Sequence, residues 1–221
     1  MRFEMDHLFV CTERGAPEGD LLVEFGLHEG TPNRHEGQGT ANRRFAFLHS
    51  MIELLWVEDA VEAQSERTRR TRLWDRWVNR ASGSCPFGIC VRPIDDSTQN
   101  PRLHDVPFPA WAYRPAYLPD PLALHIGEAG VEEPMWGYLG FMQRAGREKD
   151  FVEHPIGIRD ITGLTLTTRH PLESATAQIM LANGILAARV GQEYLLGVEF
   201  DGGRQARMRD FRPHLPMVFR F

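Results

Sequence analysis

The sequence predicts an α+β protein in which two units, each a strand, a helix and three further strands, are separated by an inserted segment. Three observations carry this. Two distant stretches, DHLFVCTERGAPEGDLLVEFGL and TGLTLTTRHPLESATAQIMLANGI, share the order strand, proline-containing turn, helix. Each is followed by runs with strand-like alternation, NRRFAFLHS and MIELLWVED in the first case, ILAARVGQ and EYLLGVEF in the second. A chain of 221 residues is long enough for one substantial core. The first unit is assigned to residues 1–60, the connecting helix and inserted strands to 61–155, and the second unit to 156–221, all in one compact domain.

Taken in order, MDHLFVCT is rich in apolar and aromatic residues and suits a strand, and Leu21, Leu22 and Phe25 make a short helical stripe after the RGAP turn. The polar, glycine-containing connection HEGTPNRHEGQGTAN leads into NRRFAFLHS, which pairs with MIELLWVED as an antiparallel hairpin turning near His49 and Ser50. From Val61 to about Arg80 the pattern is helical, anchored by Leu73, Trp74 and Trp77. The run SERTRRTR within it reads as a solvated helix face, with an anion site as the alternative. CPFGICVRP is a strand closed by proline. Prolines then break the chain into short pieces: AWAYRP and LALHIGE as strands, VEEPMWGYLGFM as a helical turn or lid. DITGLTLTT is a strand, PLESATAQIMLANG a helix with Pro171 near its start and Gly184 as its stop, and MVFRF a closing strand.

Composition narrows the function classes. The 25 basic and 30 acidic residues leave a net charge of −5, with no electrostatic footprint for nucleic acid or for an anionic membrane. No apolar run approaches the roughly 18 residues a membrane helix needs, and the first residues lack the features of a signal peptide. A cytoplasmic protein with a small-molecule partner is expected, a homodimer being allowed for. Cys11, Cys85 and Cys90 read as buried reduced thiols, since no second Cys or His pair follows at zinc-site spacing.

One letter is out of place. In SMIELLWVED, strand alternation puts Ile52, Leu54 and Trp56 on one face and Met51, Glu53, Leu55 and Val57 on the other, and both faces look buried. An uncompensated polar group there costs on the order of 2–7 kcal/mol. Glu53 therefore needs a cation: Arg43 or Arg44 on the neighbouring strand, protonated His7, or a bound metal ion.

With His7 in DHLFVCT and Glu53 in IELLWVED, together with HEGQGTANRRFAF and CPFGICVRP, the sequence resembles the glyoxalase-like family of the vicinal oxygen chelate superfamily, which includes glyoxalases, bleomycin resistance proteins and extradiol dioxygenases. The resemblance implies a curved, cup-shaped mixed sheet whose inner wall carries the ligands of one divalent ion, Fe, Mn, Ni or Zn, and it implies His7 and Glu53 as two of them. A lyase, isomerase or dioxygenase acting on a small oxygenated molecule follows, the metal serving as Lewis acid. The alternative is a metal-free protein that holds or sequesters an apolar compound in the same cup. The sequence departs from the family pattern where the second unit should supply a histidine: Gly163 or Phe87 stands there. His35 or His125 would then complete a set of two histidines and one carboxylate. In the HEGQGTAN loop, Gln38, Thr40 and Asn42 supply donors and acceptors at the mouth of the cup, where they and the same two histidines are candidate ligand-binding residues. Trp111, Tyr113, Tyr117 and Trp136 are candidate walls of an apolar pocket. No G-x-S-x-G and no H-E-x-x-H is present.

Overall fold

The computed structural model describes residues 2–94, 106–142 and 153–221. Its first part follows the expected order: β1 (Phe3–Cys11), α1 (Gly19–Phe25), β2 (Asn33–His35), β3 (Thr40–Ala46) and β4 (Met51–Val57). Helix α1 ends at Gly26, whose φ of 106° is the left-handed conformation that closes many helices. The hairpin between β3 and β4 turns at residues 47–50, where the Phe47 N–H donates to the Ser50 carbonyl at 2.8 Å. Asp160 fastens this turn: it accepts from His49 Nδ1 at 2.6 Å and from the Ser50 hydroxyl at 3.0 Å.

The helix expected over 61–80 is broken into α2 (Ala60–Ala63), a 3-10 turn at Arg69–Thr71 and α3 (Leu73–Val78). Local chemistry explains the breaks. The Thr68 hydroxyl bonds back to the Glu62 and Ser65 carbonyls, competing with helical pairing. Arg72, at φ 59°, turns the chain before α3 begins.

The proline-rich middle forms strands: β5 (Phe87–Pro93), β6 (Ala110–Tyr113), β7 (Leu124–Gly127) and β8 (Met135–Tyr138). The helical turn or lid expected in VEEPMWGYLGFM is therefore a strand. Its four residues are all buried, and it pairs with β5 on one side and β7 on the other. Pro134 stands just before the strand, where its missing N–H is tolerated. The last part supplies β9 (Ile161–Thr168), α4 (Ala175–Ala182), β10 (Ala187–Val190), β11 (Leu195–Phe200), β12 (Met208–Asp210) and β13 (Met217–Arg220). Helix α4 is capped by the Ser174 hydroxyl, which accepts from the Ala177 N–H at 3.0 Å.

The strands form two sheets. The larger is strongly curled and has the order β2-β3-β4-β1-β5-β8-β7-β6; the smaller has the order β10-β9-β11-β13-β12. In each half of the large sheet the first strand lies parallel to the last, β1 to β4 and β5 to β8, and the halves meet where β1 runs antiparallel to β5. That pairing places strands β5 to β8, expected within an inserted segment, in the second half of the curved sheet. Residues 161–220 have the expected strand and helix, then four strands where three were expected, and a different pairing, because β9 lies beside β10 and β11 and pairs with neither β12 nor β13. They form a separate sheet.

Alternation divides the large sheet's side chains between two cores. Leu8, Val10, Ile52, Leu54, Phe87, Ile89 and Val91 point to the side packed against α1 and the small sheet. Phe9, Cys11, Leu55 and Cys90 point into the concave side, where Leu124, Ile126 and Met135 join them. Gly88 makes room there: a Cβ on it would stand 2.0 Å from Cε1 of the Phe9 ring.

Candidate functional site

The concave side encloses a cavity of about 350 Å³ into which His7, His35, Gln38, Glu53 and Cys90 all reach. The strand register brings them together. Phe9 pairs with Glu53 across β1 and β4, so His7 lies one same-face step from Glu53, and His7 is itself opposite Cys90 across β1 and β5. Arg44, opposite Glu53 on β3, also lines the cavity.

His7 is held from behind. Asp6 is the extra residue of a β-bulge between the Met5–Val91 and His7–Cys90 pairs, and the bulge lets consecutive side chains meet. His7 Nδ1 donates to Asp6 Oδ1 at 2.7 Å, and the other Asp6 oxygen accepts from Arg92 Nη1 at 2.8 Å. Arg92, wholly buried, also donates to Glu4 Oε1 at 2.9 and 3.0 Å and to the His49 carbonyl at 2.7 Å. Asp6 thereby fixes the ring orientation, and Cys90 also hydrogen-bonds the ring. Burial works against charge on the ring, but the neighbouring Cys90 sulfur, the Glu53 carboxylate and the Asp6 hydrogen bond outweigh it and hold the His7 pKa well above its ordinary 6.5.

Glu53 is 8% exposed, and among the described residues it has no hydrogen bond and no ion pair. Neither arginine offered by the sequence pairs with it. Arg43 turns to the other face, donating to Glu29 at 2.6 and 2.8 Å and to Asp20 at 2.9 Å, and Arg44 Nε donates to the Thr31 carbonyl at 2.7 Å. His7, whose pKa Glu53 helps to raise, is the neighbouring titratable group.

The loop supplies a second polar wall. His35 Nδ1 shares a 2.9 Å hydrogen bond with the Thr40 hydroxyl, which accepts from Gln38 Nε2 at 2.7 Å, and Gln38 Oε1 accepts from Tyr117 at 3.3 Å. The rings of His35 and Tyr117 lie 5.1 Å apart. Burial lowers the His35 pKa; Glu53 offsets part of this, while His7 and Arg44 add to it. Gly39 anchors the loop at φ +74°, with no room for a Cβ, which would stand 2.3 Å from the Asp59 carbonyl. Asn42, fully buried, orients the loop by accepting from the Asn33 N–H at 3.2 Å.

His125 is not part of this assembly. On β7 it alternates with Leu124, which faces the cavity, and its ring lies 6.4 Å from that of Tyr138 on the other side of the sheet. Trp136 also faces that other core, whereas Tyr113 and Tyr117 belong to the concave side and Trp111 packs against it. Asp6, Arg92 and Cys90 are site residues that sequence reasoning missed, and Arg44, offered there as a partner of Glu53, lines the cavity without pairing with it. The signal within reach was an acid beside His7, in MDHLF, and a basic residue in the otherwise apolar strand CVRP.

Two features bear on a metal ion. His7 with its Asp6 support and the unpartnered Glu53 carboxylate suit a divalent cation as donors. Among the described residues, however, no three His, Cys, Asp or Glu side chains are gathered as a metal site requires. The fit is partial. As it stands, the arrangement offers an imidazole nitrogen and a free carboxylate to the polar end of a ligand, beside an apolar wall. All three cysteines are reduced and buried, and no described helix is long and apolar enough to cross a membrane.

No family model and no curated protein matches this chain. A solved structure described as a hypothetical protein from Staphylococcus aureus is similar over 99% of both chains, at 14% identity and a TM-score of 0.55, a likeness of fold alone.

Proposed function

We propose that the chain is a glyoxalase-like protein of the vicinal oxygen chelate type that binds a small oxygenated molecule with an apolar body in the pocket around His7 and Glu53. The observation that carries this reading is the Glu53 carboxylate, buried and unpartnered at a cavity wall, where it costs stability unless a ligand uses it. The lining supports the amphipathic ligand. The polar residues Asn33, His35, Gln38, Arg44, His7 and Glu53 all come from β1 to β4 and their loop. Leu73, Leu124, Met135, Leu139, Phe141 and Met142 form the opposite, apolar wall. A few placed polar groups in a largely apolar cavity is the usual composition of a small-molecule site, and 350 Å³ is within its usual size.

A second reading, favoured by the Asp6-supported imidazole, is a metal-dependent lyase, isomerase or dioxygenase. His7 and Glu53 would hold one Fe, Mn, Ni or Zn ion, which supplies Lewis-acid polarisation of substrate oxygens. His35, the other histidine of the pocket, would be the third donor.

The test combines metal analysis of protein purified without chelator with a thermal-shift screen of alkyl and aryl diketones and catechols. Binding raises stability by about 2.7 kcal/mol at a hundred times Kd. Less than about a tenth of an equivalent of metal, unchanged melting after chelation and a ligand shift lost in Glu53→Gln support the first reading. A near-stoichiometric ion lost in His7→Ala supports the second. A ligand shift undiminished in both variants refutes the placement of the site.

A further inference from the structure

A second cavity, of about 280 Å³, lies between the 70–76 segment and strands β6 to β8, and it shares Met135 as a wall with the pocket around His7. Three arginines line it: Arg70, Arg72 and Arg76. They belong to the SERTRRTR segment and the helix after it, whose alternative reading was an anion site.

Arg76 is the unusual one. It is 3% exposed and has no carboxylate partner among the described residues. All its hydrogen bonds leave from Nη1, to the carbonyls of Cys85, Val131 at 3.2 Å and Glu133 at 2.7 Å, while Nε is buried with no partner. Carbonyls orient the guanidinium but do not neutralise it, and a buried charge without a counter-ion costs free energy that a bound anion recovers. Burial accordingly holds the Arg76 pKa below the ordinary arginine value.

The other two arginines add to the positive field. Arg70 lies 4.3 Å over the Trp111 ring and has no ion pair among the described residues. Arg72 is half exposed and shares its charge with Asp75 at 2.6 Å. Glu128, exposed at the rim, is the acid that opposes an anion here. The floor, made by Trp111, Ile126, Pro134 and Met135, is apolar.

We propose that this cavity binds an oxyanion carried on an apolar or aromatic group, a carboxylate or phosphate monoester, with Arg70, Arg72 and Arg76 as its donors and Trp111 beneath its carbon body. Guanidinium groups favour such oxyanions because their planar donors bond two oxygens at once. The site stands independently of what the His7 pocket binds.

The probe is phenyl phosphate, titrated calorimetrically into the full chain at low ionic strength, with phenol and inorganic phosphate titrated alongside. Phenyl phosphate is expected to bind at one site with Kd of about 1 mM or below, phenol not to bind, and salt near 0.15 M to weaken binding. Because Arg70 and Arg72 are exposed, an Arg70→Gln, Arg72→Gln variant keeps the fold and weakens binding about tenfold or more. An Arg204→Gln, Arg207→Gln variant, altered at exposed positions in the small-sheet region, removes the same charge and leaves binding unchanged. No saturable binding by about 10 mM, equal binding by the Arg70/Arg72 variant, or equal weakening in both variants overturns the proposal.

Discussion

Replacing Glu53 with glutamine separates a functional carboxylate from a structural one. The side chain is 8% exposed and bonded to nothing among the described residues, and the groups that face it with opposite charge are His7, whose pKa it helps to raise, and Arg44, which lines the same cavity. Glutamine has the same shape and no charge. Burying an amide without a partner costs about 1–3 kcal/mol in proteins, whereas burying an ion costs several. The exchange is therefore expected to leave stability unchanged or to raise it by about 1 kcal/mol, equivalent to roughly 2–4 °C in Tm for a chain of this size. Scanning calorimetry at neutral pH reads this directly, and the same protein loses the ligand or metal binding of the wild type. If the fold instead depended on a direct hydrogen-bonded ion pair between Glu53 and a buried cation, its removal would cost about 3–5 kcal/mol, or roughly 6–20 °C. A fall of that size would refute the reasoning.

Three further outcomes follow from the geometry. His154 accepts from the His28 N–H through Nδ1 and donates from Nε2 to the Ala46 carbonyl, both at 3.0 Å, so only the neutral ring fits. Burial lowers its pKa below 6.5, a lowering that the Ala46 bond partly offsets and His28 increases. As pH falls below about 6.5 the unfolded chain takes up the proton first, so stability is full above that pH and is lost toward the lower folded pKa, by at most about 1.4 kcal/mol per pH unit. His35 contributes in the same direction and His7, with its raised pKa, in the opposite one in wild type and variant alike. Urea unfolding at about pH 7.5 and pH 5.5 should show a smaller loss in His154→Gln, and an equal loss counts against the assignment. Gly88→Ala sets a methyl into the Phe9 ring and should cost about 1–3 kcal/mol by calorimetry while shrinking the pocket. Arg92→Met leaves Asp6 and Glu4 without their buried cation and should cost about 3–5 kcal/mol, read by urea unfolding.

The legible part of the site was what a single strand can reveal. Glu53 stands out because one acid interrupts an apolar run whose two faces are both buried, and that anomaly needs no knowledge of its neighbours. His7 became visible through the resemblance carried by DHLFVCT. Cys90 and Arg92 enter only through strand pairing, which depends on register between distant segments. Asp6 reaches His7 because a bulge displaces it, and a bulge leaves no mark on the alternation pattern. The second half of the curved sheet was hidden by its prolines and short strands. Four-residue strands such as β7 and β8 carry too few letters for periodicity, and their burial on both sides removes the polar alternation altogether. That is why His125 was misplaced: its neighbour Leu124 takes the inner face.

The buried charges behind His7 support the proposed site more strongly than the pocket does. Replacing a buried ion pair by apolar residues of the same volume is often neutral or stabilising, so Arg92, Asp6 and Glu4 are poor candidates for holding the sheet together. Among their contacts is the one that holds one oxygen of Asp6 against His7 Nδ1, at the strand where the two halves of the curved sheet meet. Orientation of an imidazole matters only if its other nitrogen has a partner to meet in a fixed direction. On the cavity side of that nitrogen stand Glu53 and the polar loop, and the outer core on the sheet's far side is apolar. A fold that needed only packing would place leucines at all of these positions. Charge kept at a cost on both sides of one histidine therefore argues that the ligand is met at His7 and Glu53, with the apolar wall of the opposite half as its seat.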